Sequence, residues 1–114
     1  MSAAPEISLT QVLAATGGEL LAGPGTGEVV FRGVTTDSRQ CAAGNIFIAL
    51  TGANFDGHDY LAQARRQGAA GLLIHRLPEA YPRDIPAVIV GDTLRALGDL
   101  ASWWRRRFTP TIIA

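Results

Sequence analysis

Residues 35–58 read TTDSRQCAAGNIFIALTGANFDGH, two polar turns on either side of one short apolar strand. Ile46 to Leu50 is apolar on both faces, the pattern of a central strand covered from both sides, and is expected deep in a sheet. Leu72 to Ile74 reads as a second buried strand. Between the two, a helix is expected over Asp59 to Gln67, burying Tyr60, Leu61 and Ala64 and stopping at Gly68. Strand, helix, strand predicts a parallel pair joined by a right-handed crossover. After a loop punctuated by Pro78, Pro82 and Pro86, Ala87 to Val90 forms a further strand. The expected fold class is α/β, a small mixed sheet packed with helices.

Toward the amino terminus, Ser8 and Gln11 have capping-box spacing, and Leu9, Val12, Leu13 and Thr16 line one side of a short helix ended by Gly17-Gly18. Glu19 to Ala22 reads as a brief strand and Gly23 to Gly27 as a turn cluster. Val29, Val30, Phe31 and Val34 form a β-rich run that delivers the Thr-Asp-Ser-Arg turn. In the other direction, Asp92 is placed to cap the longest helix, whose apolar stripe is expected at Leu94, Leu97, Ala101, Trp104 and Phe108. Trp103 and Trp104 point about 100° apart, so they cannot make one stacking platform, and Trp104 is the one expected in the core. The first domain is expected to close near Gly91. Thr111-Ile112-Ile113-Ala114 looks like the opening of another strand, which suggests a piece of a longer protein.

The ten basic residues balance the ten acidic ones, so the electrostatic footprint of a nucleic-acid or membrane-surface protein is missing and a small ligand or protein partner is favoured. Every basic residue is arginine. Without lysine, a Gly-x-x-x-x-Gly-Lys-Ser/Thr phosphate loop is excluded from these residues. Cys41 is the single cysteine; it reads as a small buried or turn residue, and a reducing compartment is the default. The first fifteen residues lack the basic and apolar regions of a secretory signal, and a cytoplasmic location is expected. Arg105-Arg106-Arg107 lies in the last turn of a helix, where the helix dipole favours positive charge.

Two turns carry the candidate chemistry. In Asp37-Ser38-Arg39, a hydroxyl and a planar guanidinium suit phosphate oxygens or a base edge. Alternatively, Asp37 and Ser38 make only a local turn and Arg39 pairs with Asp37. Gly52 to His58 offers glycines for close approach, the Asn54 amide, and the Phe55 ring for stacking on a planar group. Here the alternative is that Asn54, Asp56 and Gly57 build a turn and Asp56 or His58 starts the next helix. His58 and His75 do not have metal-site spacing.

In their order, Thr36-Asp37-Ser38-Arg39, Gly44 to Leu50, Gly52 with Phe55 to Tyr60, Gln67-Gly68-Ala69, and Val90 to Thr93 leading into Ala96-Leu97-Gly98 resemble the amino-terminal part of the Mur ligases. The resemblance spans nearly the whole chain and is closest to the D-alanyl-D-alanine-adding members. It implies a three-domain cytoplasmic enzyme of peptidoglycan synthesis, with residues 1–91 holding the uridine diphosphate end of UDP-N-acetylmuramoyl-tripeptide. Residues 92–114 would open the central domain that binds ATP and Mg2+. In the family, ATP phosphorylates the peptide carboxylate and the amine of D-alanyl-D-alanine attacks the acyl phosphate. The resemblance assigns Ser38 to the uridine nucleotide, Ala53, Asn54 and Phe55 to a loop touching the same end of the substrate, and Asn54 to hydrogen bonding with the base or diphosphate. Gly52, Arg39, Asp56 and His58 belong to the same two turns. No catalytic residue and no metal ligand is expected within these residues, so ligation by this piece alone is not expected. Members that add the third peptide residue carry similar Asp-Ser-Arg and Asp-Gly-His patterns, and a stand-alone nucleotide- or partner-binding module is the non-enzymatic alternative.

Overall fold

The computed structural model describes residues 6–22, 29–79 and 81–108. In chain order the elements are β1 (Glu6–Ser8), α1 (Leu9–Thr16), β2 (Glu19–Ala22), β3 (Val30–Arg32), β4 (Val34–Thr35), β5 (Ile46–Ile48), β6 (Thr51–Gly52), β7 (Phe55–Asp56), α2 (Leu61–Arg66), β8 (Gly71–Ile74), β9 (Ala87–Ile89) and α3 (Thr93–Phe108). Short 3-10 turns occupy Ser38–Gln40 and Gly57–Tyr60. The main sheet has five strands in the order β2-β9-β8-β5-β4. Strands β4, β5, β8 and β9 run parallel, and β2 joins antiparallel to β9 with a register shift between Leu20 and Ala22. Two small antiparallel ribbons, β1 with β3 and β6 with β7, complete the mixed α/β architecture expected from the sequence.

Side chains on a strand alternate between faces, and because β5 and β8 are apolar throughout, they feed two cores. Ile46, Ile48 and Leu73 join Ile7, Val12, Phe31, Ala96 and Leu100 on one side; Phe47, Leu72 and Ile74 join Cys41, Leu61 and Ala64 on the other. Helices α1 and α3 therefore cover one face of the sheet and α2 the other. Full burial of each large apolar side chain contributes about 1.5–3 kcal/mol, so these two strands anchor the fold. Gly71 is required where it stands: a Cβ there would sit 2.4 Å from a ring carbon of buried Phe31. Gly33, at φ 87°, breaks the β-rich run, which sends Val30–Arg32 and Val34–Thr35 into different sheets.

The local signals at helix ends hold. Ser8 Oγ accepts from the Gln11 N–H at 3.1 Å while Gln11 Oε1 accepts from the Ser8 N–H at 2.9 Å. Gly17 closes α1 at φ 71°, and Asp92 Oδ1 accepts from the N–H groups of Leu94 and Arg95 at 2.9 and 3.2 Å.

Two expectations are corrected. The helix expected over Asp59–Gln67 is divided into the 3-10 turn Gly57–Tyr60 and the shorter α2, because the Asp56 carboxylate accepts from the His58 N–H and winds the chain tightly first. This rotates Tyr60 out of the core, to 40% exposure. On α3 the inward face is Thr93, Ala96, Leu97, Leu100 and Trp103, whereas Leu94 is 67% exposed. Small Ala96, not a large side chain, meets the core in the first turn, so the stripe is rotated and Trp103 packs against the cluster while Trp104 is partly buried. The Gly23–Gly27 turn, the Phe108 side chain and Thr111–Ala114 lie outside the described residues. No helix among the described residues is long and apolar enough to cross a membrane.

Candidate functional site

The four parallel strands end on one edge of the sheet, so the residues that follow them gather there, where open α/β sheets usually bind ligands. After β4 the chain enters the Thr36–Arg39 turn. Thr35 Oγ1 accepts from the Asp37 N–H at 3.2 Å, and Asp37 Oδ1 accepts from the Arg39 N–H at 2.9 Å. The Arg39 guanidinium folds back on the same carboxylate, Nε to Oδ1 at 3.2 Å and Nη2 to Oδ2 at 3.3 Å. These side-chain hydrogen bonds hold the Asp37 carboxyl below its ordinary pKa and Arg39 above its own. Arg39 is thus both partnered and largely solvent-facing, with 78% of its side chain exposed.

Ser38 is buried, and its hydroxyl donates to Gln63 Oε1 of α2 at 2.7 Å, clamping the turn to the helix. Across from it, the exposed rings of Phe55 and Tyr60 stack at 5.5 Å with their planes 12° apart. Thr36, Asp37, Ser38, Arg39, Phe55, Tyr60 and Gln63 enclose a cleft of about 470 Å³.

Of the residues singled out from sequence, Ser38, Arg39 and Phe55 share this cleft. Gly52, Ala53 and Asn54 form the exposed tip of the β6–β7 hairpin beside it and are not on its wall. Asp56, on the return strand of the hairpin, and His58, in the 3-10 turn after it, belong to a separate network. Asp56 Oδ1 takes the His58 N–H at 2.9 Å and the His58 Nδ1 at 2.7 Å, while Arg76 binds Oδ2. His58 Nε2 accepts from the His75 N–H at 3.1 Å, so Nδ1 carries the proton in the neutral ring. Burial holds His58 below its ordinary pKa, against the opposing pull of Asp56. For Asp56, burial acts upward but is outweighed by Arg76 and by the N–H and ring of His58, leaving the carboxyl well below the usual carboxylate range. Both nitrogens of His58 are committed to holding the hairpin against β8.

Tyr60 and Gln63 were not anticipated as cleft residues. Their signal is the i, i+3 spacing of an aromatic and an amide at the start of a helix, immediately downstream of Phe55. Cys41 is buried, which pushes its thiol pKa up. The Ser38 hydroxyl meets an amide and not a base, so its partner does not activate it as a nucleophile. Among the described residues no three His, Cys, Asp or Glu side chains come together to hold a metal, and the sequence has no lysine.

A family model described as "Mur ligase family, catalytic domain" matches residues 30–105, which include every residue of the cleft. The chain belongs to the Mur ligase family. This Mur ligase chain is 36% identical over 108 residues to UDP-N-acetylmuramoyl-tripeptide–D-alanyl-D-alanine ligase of Escherichia coli (strain K12), covering 95% of the chain and 22% of that protein. It is 44% identical over 82 residues to the enzyme of the same name from Buchnera aphidicola subsp. Baizongia pistaciae (strain Bp), covering 71% and 17%. A crystal structure of MurF from Acinetobacter baumannii superposes with a TM-score of 0.78 at 30% identity, covering 93% of the chain and 22% of that structure. The Mur ligase chain therefore spans about a fifth of the length of these relatives.

Proposed function

We propose that this Mur ligase chain is the substrate-binding amino-terminal part of the enzyme that adds D-alanyl-D-alanine to UDP-N-acetylmuramoyl-tripeptide in cytoplasmic peptidoglycan synthesis. Its task is to hold the uridine diphosphate end in the cleft between the Thr36–Arg39 turn and the Phe55–Tyr60 pair. The observation that carries this reading is the convergence of Ser38, Arg39 and a stacked, exposed aromatic pair on one cleft. A pyrimidine ring finds an aromatic platform beside Phe55 and Tyr60. The diphosphate finds the guanidinium N–H groups that Asp37 leaves free, and Asp37 orients that guanidinium without sealing it off from solvent. Asn54, exposed and one residue before Phe55, is assigned to the rim, with Gly52 and Ala53 allowing the substrate to approach the hairpin backbone. Asp56 and His58 act by holding that hairpin in place.

Residues 1–91 supply the binding cleft, and 92–114, whose helix α3 packs on the same sheet, lead into the part of the whole enzyme that uses ATP and Mg2+. These 114 residues alone do not ligate, because they contain no lysine-bearing phosphate loop. Calorimetric titration of the chain with uridine diphosphate tests the site. Ser38→Ala, Asn54→Ala and Phe55→Ala each weaken binding, with Phe55→Ala costing about 1–3 kcal/mol, the usual worth of a base–aromatic stack. Affinity unchanged in all three variants removes the cleft from the substrate path.

A further inference from the structure

Of the side chains that wall the cleft, Gln63 alone carries an amide, and its orientation is set from behind. Ser38 is only 7% exposed, and its hydroxyl donates to Gln63 Oε1 at 2.7 Å. A flipped amide would let Ser38 Oγ accept from Nε2, but it would take away the acceptor of a buried hydroxyl proton, which is costly. Oε1 therefore faces Ser38, and the half-buried Gln63 offers Nε2 as a donor to whatever enters the cleft.

Resting on the uridine reading of this cleft, we infer that Gln63 is the residue that selects uracil over cytosine. Its Nε2 donates to the base carbonyl at position 4, and the second lone pair of Oε1 accepts from the ring N–H at position 3. Cytosine presents the reverse order, an amino donor at position 4 beside a ring nitrogen that accepts, so a fixed amide meets it donor to donor.

The placement suits that task. Gln63 lies three residues beyond Tyr60, one step along the start of α2, and Tyr60 stacks on Phe55 with ring centroids 5.5 Å apart. A base laid on the aromatic pair has its edge toward the amide. The other polar groups of the wall do not make the distinction. The hydroxyls of Thr36 and Tyr60 donate or accept as needed. The Asp37 carboxylate is held by Arg39 through both oxygens, and Arg39 is assigned to the diphosphate.

The test is a ratio of affinities. Calorimetry is run with uridine diphosphate and with cytidine diphosphate on the unaltered protein, Gln63→Glu and Ser38→Ala. The unaltered protein is expected to favour uridine diphosphate about fivefold to a hundredfold, the usual discrimination by a matched amide–base pair. Gln63→Glu, which replaces the donor by an acceptor suited to the cytosine amino group, is expected to reverse the preference; its added charge repels both diphosphates alike and drops out of the ratio. Ser38→Ala frees the amide to turn and is expected to bring the ratio toward one. A ratio at or below one in the unaltered protein, or an unchanged ratio in either variant, overturns the role of Gln63 while uridine diphosphate still binds and the cleft stands. Absence of uridine diphosphate binding to the unaltered protein removes the uridine reading and this one with it.

Discussion

Ser38 and Gln63 lie 25 residues apart, and their 2.7 Å hydrogen bond joins the substrate-facing turn to α2. Because the Ser38 hydroxyl is buried, Ser38→Ala leaves the Gln63 carbonyl without its donor and should destabilise the fold by about 1 kcal/mol in urea denaturation. A double-mutant cycle with Gln63→Ala isolates the clamp; additive losses would show that the two side chains do not support one another. The turn was legible in sequence because Asp37 and Asp56 each bond to the N–H two residues on, a local habit of aspartate at strand ends. Gln63 was not, since sequence spacing carries no information about contact across a fold. Tyr60 was misassigned to the core for a nearby reason: a 3-10 turn has fewer residues per turn than an α-helix, so helical periodicity carried through Gly57–Tyr60 points its side chains the wrong way.

The β6–β7 hairpin and the 3-10 turn after it are fastened to β8 through His58. Protonating that ring would set an Nε2–H against the His75 N–H it now accepts from, so the folded state resists a proton that the unfolded chain takes up. With more protons bound to the unfolded chain, stability falls as pH drops through the ordinary histidine value of about 6.5. Asp56 adds a second stage: its depressed carboxyl stabilises the fold above about pH 4, and that contribution is lost as pH falls further. Urea midpoints measured from pH 7.5 down to 3 should therefore decline in two steps, and His58→Gln should abolish the first. A flat midpoint between pH 7.5 and 5 in the unaltered protein contradicts this account. Among the elements themselves, α1 was read correctly because its capping box is local. The α3 stripe was not, because alanine gives no clear hydrophobic signal and yet Ala96 is what lets the first turn approach the core.

At the scale of the whole molecule, α3 is part of the packing of the sheet and not an appendage. Leu100 is 1% exposed in the cluster that holds Ile7, Val12 and Phe31, while Leu94 on the same helix is 67% exposed. Leu100→Ala should cost about 2–5 kcal/mol of unfolding free energy, as buried leucine truncations do, and Leu94→Ala under about 0.5 kcal/mol. Equal costs at the two positions would mean that α3 is not docked in this orientation. The parallel core was legible from the doubly apolar runs at β5 and β8. The small ribbons were not, because two- and three-residue strands leave too little pattern to read.

The two margins of the main sheet, finally, differ from its middle. On one side β4 offers only Val34–Thr35, and on the other β2 breaks register between Leu20 and Ala22. A neighbouring chain seeking to extend the ladder meets a stub or a kink, the usual natural guards against edge-to-edge aggregation. At the margins of the main sheet, therefore, little regular backbone is on offer for the strand of another molecule to pair with.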